Sequence, residues 1–181
     1  MPGLMSHEQA ETTASSESVI VWMSPDVLQA CFDEASDKFP LETGGTFMGW
    51  WADADTTVIT AMIGPGPNAH HSGHSFQPDE AWQLDQIADH YAASARRETY
   101  LGDWHSHPEA SSGTLSWTDR RVLRRVITTP SARCPTPLMI VLWGQSDDWQ
   151  LTAWRAHLRS RPLLWDSLVL EQVSMAFAAS V

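Results

Sequence analysis

Cysteine is nearly missing from this chain of 181 residues: Cys31 and Cys134 stand alone, with no Cys-x-x-Cys pair. That excludes a zinc ribbon and a disulfide framework, and it favours a reducing compartment. A membrane-length apolar run is also lacking. The start of the chain is acidic and polar where a signal peptide needs a basic start and an apolar stretch. The expectation is a cytoplasmic protein that does not engage a membrane. Basic residues are scarce too, 11 against 22 acids, for a formal net charge of -11. Such a chain presents no broad positive field to nucleic acid, so a protein or peptide is the better-matched substrate.

The length suits one domain with a real core. Residues 1–18, rich in Ser, Thr and Glu, are expected to form a flexible N-terminal tail. Val19–Trp22 reads as a strand, and Ser24-Pro25 as a helix cap followed by proline at the first helical position. Leu28, Cys31 or Phe32, Ala35 and Phe39 recur on one helical face until Pro40 ends the helix. Thr46–Trp51 and Thr56–Ile63 read as a hairpin around Ala52–Asp55. Gly64–Ser75 is expected to be an irregular loop, followed by a helix from beyond Pro78 towards Arg97. Pro137–Trp143 and Trp149–Trp154 read as two more strands, so strands and helices together indicate an α/β layer. Residues 162–181 are too apolar for an idle tail and either complete the core or form a partner surface.

The chemistry concentrates around Gly102-Asp103-Trp104-His105-Ser106-His107-Pro108. Residues two apart share a face on a strand but not on a helix. Tyr100–Trp104 reads as that strand, with both imidazoles leaving the sheet edge together and Pro108 stopping the strand. Ser116 and Asp119 are three apart at the start of a helix expected over Arg120–Thr128, and Glu109–Leu115 is loop enough to swing that helix over the histidines. Two imidazoles and one carboxylate make three protein ligands, leaving the open fourth position of a catalytic zinc site. Ser-x-x-Asp is equally the pattern of a helix cap with an acid near the positive helix end, and the two roles are compatible.

Glu42 followed by Gly44-Gly45, then His105-x-His107-Pro108, then Ser116-x-x-Asp119, resembles the JAMM motif of the MPN+ metallopeptidases. The likeness spans roughly Val19 to His157. It implies a single MPN domain over residues 19–161, with a mixed central β-sheet flanked by helices and cytidine-deaminase-like layering. It also implies one zinc ion, held by His105, His107 and Asp119 and carrying an activated water. Glu42 would be the general base, and Ser116 would donate to the developing oxyanion. The compact prokaryotic members that this chain resembles are associated with ubiquitin-like or sulfur-carrier proteins and their activating or conjugating enzymes, sometimes in antiphage defence. The implied activity is hydrolysis after the C-terminus of a ubiquitin-like protein, as deconjugation or precursor processing. The alternatives are a noncatalytic scaffold or binding module, and an amidase acting on small molecules or short peptides.

Several neighbours carry narrower expectations. His70, His71 and His74 lack a carboxylate or cysteine at metal-binding spacing, which favours surface or substrate-contact roles over a second metal. Asp103 either orients a ligand ring or is a strand-end acid satisfied by backbone donors. Trp104 and Trp117 flank the motif and are candidates for the cleft wall. Arg120, Arg121, Arg124 and Arg125 share a helix side, as a solvated face or a docking stripe for an acidic partner.

Overall fold

The computed structural model describes residues 19–160 and 166–178, so the expected tail over residues 1–18 lies outside the described residues. The chain begins with β1 (Ile20–Met23) and α1 (Pro25–Lys38), then β2 (Gly44–Trp51), β3 (Thr56–Ile63), β4 (His70–His71) and β5 (Phe76–Gln77). It continues through α2 (Glu80–Ala93), β6 (Thr99–Pro108), α3 (Trp117–Thr128), β7 (Leu138–Gln145), β8 (Asp148–Arg159) and β9 (Ser167–Phe177). The large sheet runs β1-β3-β2-β6-β7-β8-β9 and closes because β9 pairs with β1. It is mixed: β6 pairs antiparallel with β2 and parallel with β7. A mixed sheet flanked by helices was expected; closure into a barrel is a feature that an expectation of cytidine-deaminase-like layers does not contain.

Local chemistry accounts for the helix starts. The Ser24 hydroxyl accepts from the Val27 amide, and Pro25 occupies the first turn, where no amide is needed. Val27, Cys31 and Ala35 are then buried against the barrel interior, with Leu28 and Phe32 packed beside them. The second helix stops at Ala93, short of the expected Arg97. Ala95 and Arg96 take left-handed conformations (φ 53° and 64°), and the Arg96 amide donates back to the Tyr91 carbonyl. This reversal lets Glu98 bond both His90, at 2.5 Å, and Thr60, at 2.7 Å, joining the end of α2 to β3. No glycine marks the stop, so it left no sequence signal.

Two apolar layers share the sheet. Phe47, Leu101, Trp104, Leu138, Ile140, Leu142 and Val173 fill the barrel interior, while Leu115, Met139, Val141 and Ala156 pack with Leu123 of α3. The apolar stretch near the C-terminus therefore supplies β9, whose Val173 enters the interior; Pro162, Leu163, Leu164 and Trp165 fall outside the described residues.

Three expectations need correction. β6 is an inner strand that runs on to Pro108, so the histidines project from a sheet face and not from an edge. Trp104 is only 1% exposed inside the barrel and cannot wall a cleft, because strand alternation turns it away from His105. The loop after Gly64 contains a small two-stranded sheet, pairing His70 with Gln77 and His71 with Phe76.

Candidate metal centre

Strand alternation places His105 and His107 on the face of β6 towards α3, with their Nε2 atoms 2.9 Å apart. Asp119 approaches from α3, its Oδ1 lying 3.5 Å from His105 Nε2. One ligand atom from each of the three residues lies within 4.8 Å of the others. Among the described residues this is the one such group, and neither His70, His71 nor His74 belongs to it.

The helix cap divides the Asp119 carboxylate between two tasks. Ser116 Oγ accepts from the Asp119 amide at 3.2 Å, while Asp119 Oδ2 accepts from the Ser116 amide at 2.6 Å. This reciprocal capping box fixes Oδ2 and leaves Oδ1 towards the histidines. The cap is therefore observed, and it leaves Asp119 Oδ1 free for the ligand role, so the two readings of Ser116-x-x-Asp119 are compatible. The preceding loop is tied down as well: the Glu109 amide donates to the Gly144 carbonyl at 2.7 Å, and Trp154 Nε1 donates to the Gly113 carbonyl at 2.9 Å. A Cβ on Gly113 would come within 2.6 Å of Thr152 and 2.7 Å of Trp143, so the loop's approach to β7 and β8 requires glycine.

Glu42 reaches the same face from the segment before β2. Gly44 is in register with His105, and the Ser106 amide donates to the Thr43 carbonyl at 2.8 Å. Continuing that register sets Glu42 opposite His107, with its side chain on the same face. The Thr43 amide donates back to Ser106 Oγ at 3.0 Å, and both residues are fully buried. Ser106 thus clamps the Glu42 segment to the histidine strand. Sequence reading did not single it out, although alternation between two site histidines already turned it to the opposite side.

The electrostatics suit a metal. Burial pushes the protonation of His105 well below the ordinary imidazole range; nearby Asp119 opposes the shift and His107 reinforces it. Burial likewise lowers His107. The rings are neutral at pH 7, so the contact between His105 and Asp119 is not an ion pair, and ring lone pairs are available for a cation. Glu42 moves the other way: burial and then the Asp119 charge raise its pKa, with His74 opposing.

The flanking residues divide. Asp103 does not orient His105, nor is it a strand-end acid held by backbone donors. Burial pushes its carboxyl up to about 6, against the opposing effects of a Tyr100 hydrogen bond and the Arg125 charge. Trp117 is 70% exposed directly after Ser116, with the Arg121 guanidinium 4.6 Å from its ring centroid. Arg120, Arg121, Arg124 and Arg125 are all exposed, and Arg124 donates to the Asp166 carbonyl.

Residues 24–157 match the family described as prokaryotic homologs of the JAB domain. The chain belongs to this JAB family. The chain is 48% identical over 147 residues to the "Probable metalloprotease y4qB" of Sinorhizobium fredii (strain NBRC 101917 / NGR234), covering 81% of this chain and 90% of that protein. Membership in the JAMM/MPN metallopeptidases agrees with the motif, and the relative supports a metalloprotease. The fold is similar to the solution structure of protein DSY2949 from Desulfitobacterium hafniense, with a TM-score of 0.63 and 15% identity. That likeness covers 89% of this chain and 94% of that one. Among the described residues, no helix of this JAB protein is long and apolar enough to cross a membrane.

Proposed function

We propose that this protein is a zinc-dependent JAMM-type isopeptidase or peptidase that hydrolyses the amide bond after the C-terminus of a ubiquitin-like protein. The observation that carries the chemistry is the convergence of His105, His107 and Asp119 on one point, with Glu42 and Ser116 at its rim. Tetrahedral zinc with nitrogen ligands at about 2.0–2.1 Å would set neighbouring donors about 3.3 Å apart. Two of the separations, 2.9 and 3.5 Å, bracket that value, all three ligand atoms lie within 4.8 Å of one another, and the donor set is two neutral imidazoles and a carboxylate, a set that suits zinc once the third pair draws in.

When bound, the metal supplies Lewis acidity and can lower the pKa of a coordinated water to about 7. His105 and His107 hold their lone pairs unprotonated, and Asp119 offers Oδ1 while Oδ2 stays in the cap. Glu42 takes the proton of the attacking water and passes it to the departing amine; its raised pKa brings it nearer the operating pH of a general base. The Ser116 hydroxyl uses an acceptor lone pair for the Asp119 amide and keeps its own hydrogen to donate to the carbonyl oxygen as charge develops. A scaffold that only binds metal needs Ser116 as the cap that sets Asp119 but has no use for Glu42 at the rim. A ubiquitin-like substrate, with activating or conjugating enzymes of the same pathway as further partners, is supported by the motif's resemblance. The acidic composition supports a protein substrate over nucleic acid.

Intact-mass analysis tests this reading. Zinc-loaded protein is incubated with a ubiquitin-like protein carrying either a linear C-terminal extension or a lysine conjugate, with Glu42→Gln and chelated enzyme as controls. Cleavage abolished in both controls is the expected result, and the preferred substrate separates processing from deconjugation. Cleavage of short acylated peptides alone would reassign the substrate to the small-amide class; zinc binding without hydrolysis of any of these would leave the scaffold reading.

A further inference from the structure

Ser106 clamps Thr43 to β6, but the amide and carbonyl of Glu42 itself bond to no strand of the barrel. The Glu42 amide donates to the Ser72 carbonyl at 2.8 Å, and its carbonyl lies 3.0 Å from His71 Nδ1. A carbonyl can only accept, so Nδ1 carries the hydrogen and the tautomer is settled by the contact. Both partners come from the small β4–β5 hairpin. The hairpin is braced in turn: the His71 ring packs against Phe76 at a 33° tilt with centroids 5.4 Å apart, and Ser72 and Ser75 bond across the turn through backbone and hydroxyls. Phe76 lies against Gly44, where an added Cβ would come within 2.9 Å of its ring. A side chain at Gly44 would clash first with the Trp104 carbonyl and also with this ring of the hairpin that holds Glu42.

We propose that His71 is a positioning residue for the general base: through the β4–β5 hairpin it fixes the Glu42 peptide, while Ser106 fixes Thr43 beside it. This rests on the reading of Glu42 as the base. The physical need is plain, because a carboxylate must lie within hydrogen-bond reach of the proton it takes, and a displacement of 1 Å can cost about 100-fold in rate. Glu42 stands between α1 and β2, and its own backbone groups bond only to the hairpin. The tip residue His74 opposes the upward shift of the Glu42 pKa, so the hairpin also bears on the electrostatics of the carboxylate.

The test uses the full-length protein with His71→Ala, His71→Asn and His71→Gln. The amide nitrogen of asparagine occupies nearly the place of imidazole Nδ1, whereas glutamine carries its amide one carbon further. Two readouts are taken. In metal-free protein, amide hydrogen exchange by NMR should show Glu42 exchanging at least about tenfold faster in the Ala and Gln variants, with the His105 and Ser106 amides unchanged and Asn near the wild-type rate. In zinc-loaded protein, kcat should fall about 10- to 100-fold for Ala and Gln with KM and zinc content little altered, and Asn should restore most of it. Unchanged Glu42 exchange in His71→Ala would overturn the proposal, as would an Asn variant indistinguishable from Ala in both readouts. If the wild type hydrolyses nothing, the functional reading falls by itself, and the exchange rates alone decide the role of His71.

Discussion

The Ser116 hydroxyl caps α3 and, in the proposed mechanism, also donates to the developing oxyanion; substitution can separate the two tasks. In Ser116→Ala the Asp119 amide loses its cap acceptor, which costs about 1 kcal/mol, within a range of about 0.5–2. For a domain of this size that lowers Tm by roughly 2–4 °C. Glycine at the same position loses only a few tenths of a kcal/mol, so Ser116→Gly should melt within about 1 °C of wild type. Neither loss depopulates a fold of ordinary stability, about 5–15 kcal/mol. Removing an oxyanion donor is larger, about 2.7–4 kcal/mol in the barrier, or about 100- to 1000-fold in kcat. Zinc should stay, because Asp119 Oδ2 accepts from the Ser116 backbone amide at 2.6 Å whatever the side chain. Differential scanning fluorimetry, metal content after dialysis and steady-state kinetics on the cleavable substrate read the three quantities separately. Equal kcat losses for Ala and Gly, unequal melting and full zinc content are expected. Zinc loss as large as that of Asp119→Ala, or kcat within tenfold of wild type, would refute the division of roles.

Asp119→Ala should lose zinc and also about 1 kcal/mol of cap stability, visible as a melting temperature that no longer rises with added zinc. Gly113→Ala forces a Cβ to 2.6 Å from Thr152; a cost of about 1–3 kcal/mol and weakened zinc binding are expected from calorimetry, since this loop delivers Asp119. Because burial lowers both His105 and His107, zinc affinity should hold as pH falls through 6.5, the ordinary histidine value, and fail only at lower pH, as followed by competition with a chromophoric chelator. Asp103 has the opposite sign: its folded pKa of about 6 lies above the ordinary 3.8, so its contribution to stability is present below 3.8 and is lost as pH rises to about 6. Asp103→Asn should therefore stabilise the protein progressively over that window and by a constant amount above it, as read by denaturant unfolding across pH.

The sequence by itself determined which residues form the candidate metal centre, because ligand type, spacing and strand period are local properties. His105-x-His107 on a strand, Ser116-x-x-Asp119 at a helix start and Glu42 before a glycine pair were all legible without coordinates. So were most element boundaries, since Ser24-Pro25, the Asp53 turn and the apolar strands each carry their own signal. Alternation along β6 also contained the burial of Trp104 and the inward direction of Ser106, and that rule was there to be applied. What only the tertiary structure decided depends on groups that meet from far along the chain. The pairing of β9 with β1 closes the sheet through backbone bonds that carry no side-chain signature. The stop of α2 at Ala93 uses two left-handed residues with no glycine to announce them. The attachment of Glu42 to His71 and Ser72 is a pair of hydrogen bonds to the main chain, and a main-chain carbonyl looks alike at every position of a sequence. A base can be recognised by its type and its place in a motif, but what holds it still is visible only when the segments that touch it are brought together.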